Sequence, residues 1–432
     1  MTTVATRQSG AAAGAAPAGA PAPQPAALWR GRVLLIVGVV LLGISLRHAV
    51  TGMSPLLPVI REELGIGVAG ASFLGMLPTL SFGIAGFIAP VLIRKMGGEA
   101  TAVAAMLLAA VGTAGRAFTD SVPVFFALSI VALVGMGFGN VVGAPLVKKY
   151  FPDRPAPMLT VFALLMQAGA TLPAMAAVPM ADAAGWRVSI GSWAILAVVA
   201  ALPWLIQLFK VLKDKAPASA GPGAAAAAGP RLGLAQLVKS PVAAGTALFY
   251  AMASLNTYGM LAWMPTMFAD SGMDLGAAAA AFSIFTFMTL PMAFITPILA
   301  SKLKNPFPLA ALVTVVSPIG YVGLIIAPEA APVWALITGI GGGAFPLAIT
   351  MFNLRTRTAS GSAAISGFAM GVGYLFGTLG PLLGGALFSV TGGWTVPLIA
   401  YALTGILMLL GAAMMTKRGR YLEDKFEAAA RV

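Results

Sequence analysis

The 432 residues contain no cysteine, which excludes disulfides, thiolate chemistry and cysteine metal sites and leaves the redox compartment open. There is one histidine, His48, so no second imidazole exists for a histidine metal site. Charge is also scarce. Asp, Glu, Lys and Arg make up 9% of the chain, where a soluble domain carries about a quarter. Acids are the scarcer sign, 13 against 26 basic residues. The apolar stretches hold no metal-ligand cluster, acid pair or Ser/His/Asp constellation, so neither an enzyme nor a cofactor is expected.

What the chain has in quantity is apolar sequence, 59% of it. Gly and Pro are abundant but aperiodic, interrupting long apolar runs as membrane helices tolerate. Twelve such runs stand at about 32–59, 68–93, 99–118, 121–147, 156–180, 187–209, 241–268, 276–300, 307–327, 331–352, 362–388 and 394–416. Each has about 20 residues or more, the length of a helix that crosses a bilayer core. The expected fold is therefore an all-α integral membrane protein of twelve transmembrane helices. Residues 1–30 are Ala/Pro/Gly-rich and read as a disordered tail without the cationic-then-apolar order of a signal peptide. Residues 210–240 read as a flexible linker between a half at 31–209 and a half at 241–416, and 417–432 as a second tail.

The placement of Lys and Arg orients the spans. With both termini cytoplasmic, the inside segments hold 22 of the 26 basic residues. Arg61, Arg116 and Arg187 fall outside, and Arg47 lies within a span. That asymmetry follows the positive-inside rule and predicts a cytoplasmic (inner) membrane protein. The basic balance thus answers to anionic lipid, and no nucleic-acid partner is expected. A monomer is expected.

The two halves repeat. At an offset of 207, Gly52, Pro58, Glu63 and Gly65 fall on Gly259, Pro265, Asp270 and Gly272, and Pro90 and Lys95 on Pro297 and Lys302. Gly135, Gly137 and Gly139 fall on Gly339, Gly341 and Gly343 at 204, and Trp186 on Trp394 at 208. Two pseudo-symmetric six-helix halves account for this near-constant shift. Transporters built this way hold substrate near the midplane and alternate access by rocking one half on the other.

Two six-helix halves, a basic central loop and cytoplasmic termini resemble the major facilitator superfamily. Arg94-Lys95-Met96-Gly97-Gly98 is similar to that superfamily's loop between helices two and three, with Arg94 where an Asp is usual. A closer resemblance is to the cyanate/nitroimidazole transporter branch. It is carried by Leu46-Arg47 through Pro55-Leu56-Leu57-Pro58, by Tyr258 through Trp263-Met264-Pro265, by Gly341 through Phe345-Pro346, and by Gly373-Tyr374 through Gly380-Pro381. His48 and Met370 depart from it, standing where proline and glutamine are usual. The resemblance implies transport of a small anionic or weakly acidic compound.

The candidate site starts from Arg47, a charge midway along the first span, where ionisable residues mark function by default. Arg47, Thr51 and Ser54 are spaced i, i+4, i+7 and form one polar stripe on a helix. Arg47 has no acidic partner inside the membrane, and a substrate anion would supply one. The bland alternative is an arginine satisfied by backbone carbonyls at a kink before Pro55. His48, about 100° around the helix, is a candidate proton acceptor, with protons the candidate coupling ion, or else a neutral histidine bonded to a neighbouring helix. By the repeat, Thr51 pairs with Tyr258 and Arg47 with Ser254, so Tyr258 is expected to face the cavity from the second half. Asn140 and Gln167 are candidates for the cavity wall or for interhelical glue. Trp263 is a gate or an aromatic-belt residue, and Phe345 and Tyr374 complete the set. Arg116 attracts anions or snorkels to the interface. The glycine runs lack a following Lys-Ser/Thr and are read as close helix packing, not phosphate loops.

The expected function is a secondary transporter that takes up a small organic or inorganic anion, cyanate-like or carboxylate, by alternating access. The rivals are a proton-coupled drug exporter, which predicts cavity acids that the sequence lacks, and a membrane sensor without turnover, which predicts a sizeable signalling domain.

Overall fold

The computed structural model describes residues 31–213, 234–417 and 421–424. The tail at 1–30, most of the linker and most of the second tail lie outside the described residues.

Sixteen α-helices are present among the described residues. The first half comprises α1 (Val33–Ile44), α2 (His48–Thr51), α3 (Leu57–Leu64), α4 (Val68–Met96), α5 (Gly98–Ala117), α6 (Val122–Tyr150), α7 (Pro155–Ala184) and α8 (Trp186–Lys213). The second comprises α9 (Leu234–Lys239), α10 (Pro241–Asp270), α11 (Leu275–Lys302), α12 (Phe307–Ile326), α13 (Ala331–Gly341), α14 (Ala344–Leu354), α15 (Ala359–Thr391) and α16 (Thr395–Thr416). Twelve rods result, because α1–α3 form one broken span and α13–α14 another. Eleven are long and apolar enough to cross a membrane. The twelfth, α10, is 30 residues long and buried along most of its length, so it meets protein rather than lipid and tolerates Asn256, Thr257 and Tyr258. Short connections force neighbouring rods to run antiparallel. Lys95, Lys149, Lys302 and Arg355 consequently gather at one end, called the basic end below.

The repeat reappears as one interaction made twice. Trp186 Nε1 donates to Glu63 at 2.5 Å, and Trp394 Nε1 donates to Asp270 at 2.8 Å. Each half thereby ties the far end of its first span to the start of its last. At the basic end Arg32 meets Asp153 at 2.6 Å, and that hydrogen bond holds the Asp153 carboxyl below its ordinary range. Glu99, buried in the first turn of α5, accepts from Lys149 and Tyr150, so its charge is matched locally.

The polar stripe expected on one continuous first helix is not continuous. Pro55 lacks an N–H, its ring crowds the preceding turn, and it disfavours helix at Ser54. The chain accordingly leaves the α-helix after Thr51 and resumes it at Leu57, with a 3-10 turn at Ser54–Leu56. A second break at Ser45–Arg47 leaves α2 as a single turn with Arg47 as its N-cap. Glycines let the rods approach at backbone distance. A Cβ at Gly112 would lie 2.3 Å from Ala132 N, and one at Gly135 would lie 2.5 Å from Ala105 O. The halves meet through α4 with α15 and α7 with α11.

Gly169 of α7 faces the end of α1, where an added Cβ would lie 2.1 Å from the Ile44 carbonyl oxygen. Gly169→Ala is expected to destabilise the folded protein by about 1–3 kcal/mol, the usual cost of overpacking. A melting curve of the purified variant in detergent checks this, and an unchanged Tm would refute the close contact.

Candidate functional site

Arg47 is half-buried and opens into a cavity of about 250 Å³ between the halves. Its Nη1 donates to the Tyr258 hydroxyl of α10 at 3.3 Å, and its guanidinium lies 5.4 Å from the centroid of the Phe82 ring of α4. No Asp or Glu among the described residues forms an ion pair with it. A phenol and a ring face stabilise a guanidinium only modestly, by less than a buried carboxylate would. The site therefore carries an unmatched positive charge.

Five of the nine residues expected from sequence share this cavity: Arg47, Thr51, Gln167, Tyr258 and Phe345. Thr51 sits one turn from Arg47 and donates to its carbonyl at 3.3 Å. Gln167 of α7 donates through Nε2 to Thr289 of α11 at 2.6 Å, closing the side of the cavity across the two halves. Phe345 follows the break in the second interrupted span, whose helix lapses at Gly342–Gly343, and its ring packs tilted against Tyr250 with centroids 4.7 Å apart. Both breaks thus deliver a side chain to the same space.

Asn140 and Tyr374 stand elsewhere. They line a second cavity of about 550 Å³ between α4, α6 and α15, whose wall also includes Phe82. The Asn140 side-chain oxygen Oδ1 is buried there without a hydrogen-bond partner. The Tyr374 ring meets Phe82 edge-on at 6.5 Å, so Phe82 links Arg47 to this second space.

His48 and Trp263 face neither cavity. His48 is 1% exposed, with Nε2 3.4 Å from Thr113 Oγ1 and its ring stacked 6.4 Å from Trp193. The break after Ile44 turns residue 48 behind the wall that residue 47 forms, so the two do not share the lumen. Trp263 is 1% exposed and donates to the Pro381 carbonyl at 2.8 Å, packed against Trp394. Burial on all sides removes it from a lipid-facing belt. Arg116 does not snorkel: it is fully buried and donates to the Ala49 carbonyl at 3.0 Å.

Phe82, Thr289 and Tyr250 complete the surroundings of Arg47 without having stood out in the sequence. Thr286 and Thr289, three apart on α11, were the available signal for that wall. Phe82 gave none, because one phenylalanine in an apolar helix resembles any other.

Residues 33–378 match the Major Facilitator Superfamily. The chain belongs to that superfamily. It is 30% identical over 383 residues to the 2-nitroimidazole transporter of Escherichia coli (strain K12), covering 88% of this chain and 95% of the relative. It is 23% identical over 379 residues to the cyanate transport protein CynX of the same organism, covering 87% and 95%. These relatives put it in the cyanate/nitroimidazole branch. Its fold matches a bacterial homolog of the human lysosomal transporter Spinster, solved inward-facing and unoccupied, with a TM-score of 0.68, 13% identity, and 91% and 97% of the two chains covered. The chain is thus a membrane transporter for a small molecule, not an enzyme.

The approach of the halves is directly measurable. A Cβ at Gly83 of α4 would stand 3.8 Å from Tyr374 Cβ of α15, the mean separation in disulfides, about 3.8 Å. In this cysteine-free protein, Gly83→Cys with Tyr374→Cys is expected to cross-link under mild oxidant and to lose maleimide labelling until reduced. Two thiols that stay fully labelled after oxidation would contradict the seam.

Proposed function

We propose that the protein is a secondary transporter that takes up a small organic or inorganic anion, carboxylate or cyanate-like, with Arg47 as its anchor. One observation carries the reading: a guanidinium aimed into a cavity between the halves, with no carboxylate among the described residues to neutralise it. Guanidinium stays charged at any physiological pH, and its planar fork matches a flat anion. The Phe345 and Tyr258 side chains add aromatic lining, which suits a planar acid. A cationic drug would find no acid in this lining, so export of such compounds is not favoured.

Positive-inside orientation, with the basic end in the cytoplasm, defines the conformation in this reading. Contacts between the halves concentrate at the opposite end. Ser54 donates to the Leu261 carbonyl, and a Cβ at Gly75 would lie 2.7 Å from Pro381 Cβ and 2.8 Å from Ala262 Cβ. Toward the basic end, Gly86 of α4 and Gly367 and Gly371 of α15 have nothing within 4 Å of a built Cβ. The cavity then opens inward. Closing the basic end over an empty Arg47 would desolvate the charge, whereas a bound anion removes that penalty, so cargo selects the occluded state.

The anchor is tested by thermal shift of the purified protein against cyanate, mono- and dicarboxylates and 2-nitroimidazole. A ligand at 100 times its Kd is expected to stabilise the protein by about 2.7 kcal/mol, and Arg47→Ala is expected to abolish that gain while leaving the unliganded protein folded. Equal stabilisation of Arg47→Ala would remove the anchor. Since His48 faces Thr113 and Trp193 rather than the cavity, protons enter with the acid or transport proceeds by exchange. His48→Gln should therefore keep the parent's pH profile of uptake into vesicles, and a flattened or shifted profile would return His48 to the coupling path.

A further inference from the structure

Arg116 is a second buried cation, and nothing in the transport reading uses it. It lies one residue from the end of α5, is 1% exposed, and forms no ion pair among the described residues. A guanidinium withdrawn from both water and carboxylate must be repaid by acceptors, and the acceptors here are specific. Nη2 donates to the Ala49 carbonyl at 3.0 Å, and Nη1 to Met53 Sδ at 3.6 Å. Ala49 lies in the single turn α2, and Met53 lies between that turn and the 3-10 turn that follows. Both contacts therefore fall on the interrupted stretch of the first span.

In a regular helix the Ala49 carbonyl would accept from the Met53 N–H. A charged donor makes a stronger bond than a neutral amide, so Arg116 competes with the helical ladder for that oxygen. One turn earlier on α5, Thr113 meets His48 Nε2 at 3.4 Å, a second tether from the same helix to the same turn. The back of α2 is thus fastened to α5, while Thr51 and the N-cap Arg47 face the cavity. Arg47 has non-helical backbone angles, φ −132° and ψ −14°, so its direction depends on where α2 is held.

We propose that Arg116 is a positioning residue that holds the first span broken and so keeps Arg47 and Thr51 turned toward the transport cavity. The functional consequence rests on the Arg47 reading; the structural claim does not, and its test uses no substrate. The chain lacks cysteine, so Thr51→Cys and Ala163→Cys each introduce one thiol on the same cavity wall, only the first of them on α2. Labelling rates with trimethylammonium-ethyl methanethiosulfonate are compared with Arg116 intact and with Arg116→Gln or Arg116→Lys.

Arg116→Gln is expected to slow labelling at 51 by roughly tenfold or more, the factor implied by losing a hydrogen bond to a charged group, and to leave labelling at 163 unchanged. Arg116→Lys, which keeps the charge and a donating group without the planar fork, is expected to restore part of the rate at 51, and it carries the test if the glutamine variant does not fold. Unchanged labelling at 51 in a folded variant would overturn the proposal, as would equal changes at both positions, the mark of general loosening. If Arg47→Ala keeps its ligand stabilisation while position 51 responds to Arg116, the anion reading fails and the positioning role stands.

Discussion

A guanidinium with no counter-ion among the described residues, midway along a membrane span, is the constraint on which the rest of this architecture depends. Lipid cannot solvate it, so its surroundings must be protein or water. The chain answers with a cavity at the junction of its halves, a phenol from one half and a ring face from the other. These partners soften the desolvation without cancelling the charge. Had an acid stood beside Arg47, the pair would have been neutral and an arriving anion would have met no unmet demand. Glu99 shows the contrast within the same chain, being matched on the spot by Lys149 and Tyr150.

Irregular backbone is the second constraint, and it is distributed unevenly over a repeated fold. The first span breaks around Arg47, while its counterpart α10 runs unbroken through Ser254 and Tyr258. The span at 328–354 breaks at Gly342–Gly343, while its counterpart α6 runs unbroken through Gly135, Gly137 and Gly139. Each half thus supplies one interrupted rod. Free backbone groups at membrane depth are tolerated where they border a cavity or find partners in protein. Here both occur: Arg47 and Phe345 come off the breaks into the cavity, and Arg116 takes a carbonyl from behind.

The twelve spans and their pairing were legible because length, hydropathy and the Lys/Arg pattern are properties of whole segments. The repeat was legible for the same reason, and Glu63 with Trp186 and Asp270 with Trp394 turn it into matching hydrogen bonds. Arg47 was legible as a charge in the wrong solvent. Its neighbour was not. Placing His48 in the lumen assumed a continuous helix, and a break of three residues turns position 48 away from the face of position 47. The partners of Arg116 were hidden for a related reason. A basic residue at the end of a span reads as an anchor, and only tertiary packing reveals that its acceptor is the main chain of another helix. Side chains without polarity, Phe82 above all, carry no mark that separates a cavity wall from a core.

The seam between the halves shows how one fold can reconcile tight closure with motion. Where α4 meets α15, the facing positions are small or ring-closed: Ser72 against Gly385, Gly75 against Pro381, Thr79 against Gly377. Long side chains interdigitated across such a seam would have to leave their holes before the halves could rock, and a densely packed interface resists that. Small residues bring the backbones close enough for dispersion to hold them, yet leave little to unthread. The same two helices carry Gly86, Gly367 and Gly371 on toward the basic end, where nothing meets them. In the proposed reading the halves pivot about a seam that adheres by proximity, and the charge of Arg47 decides what must be bound before they do.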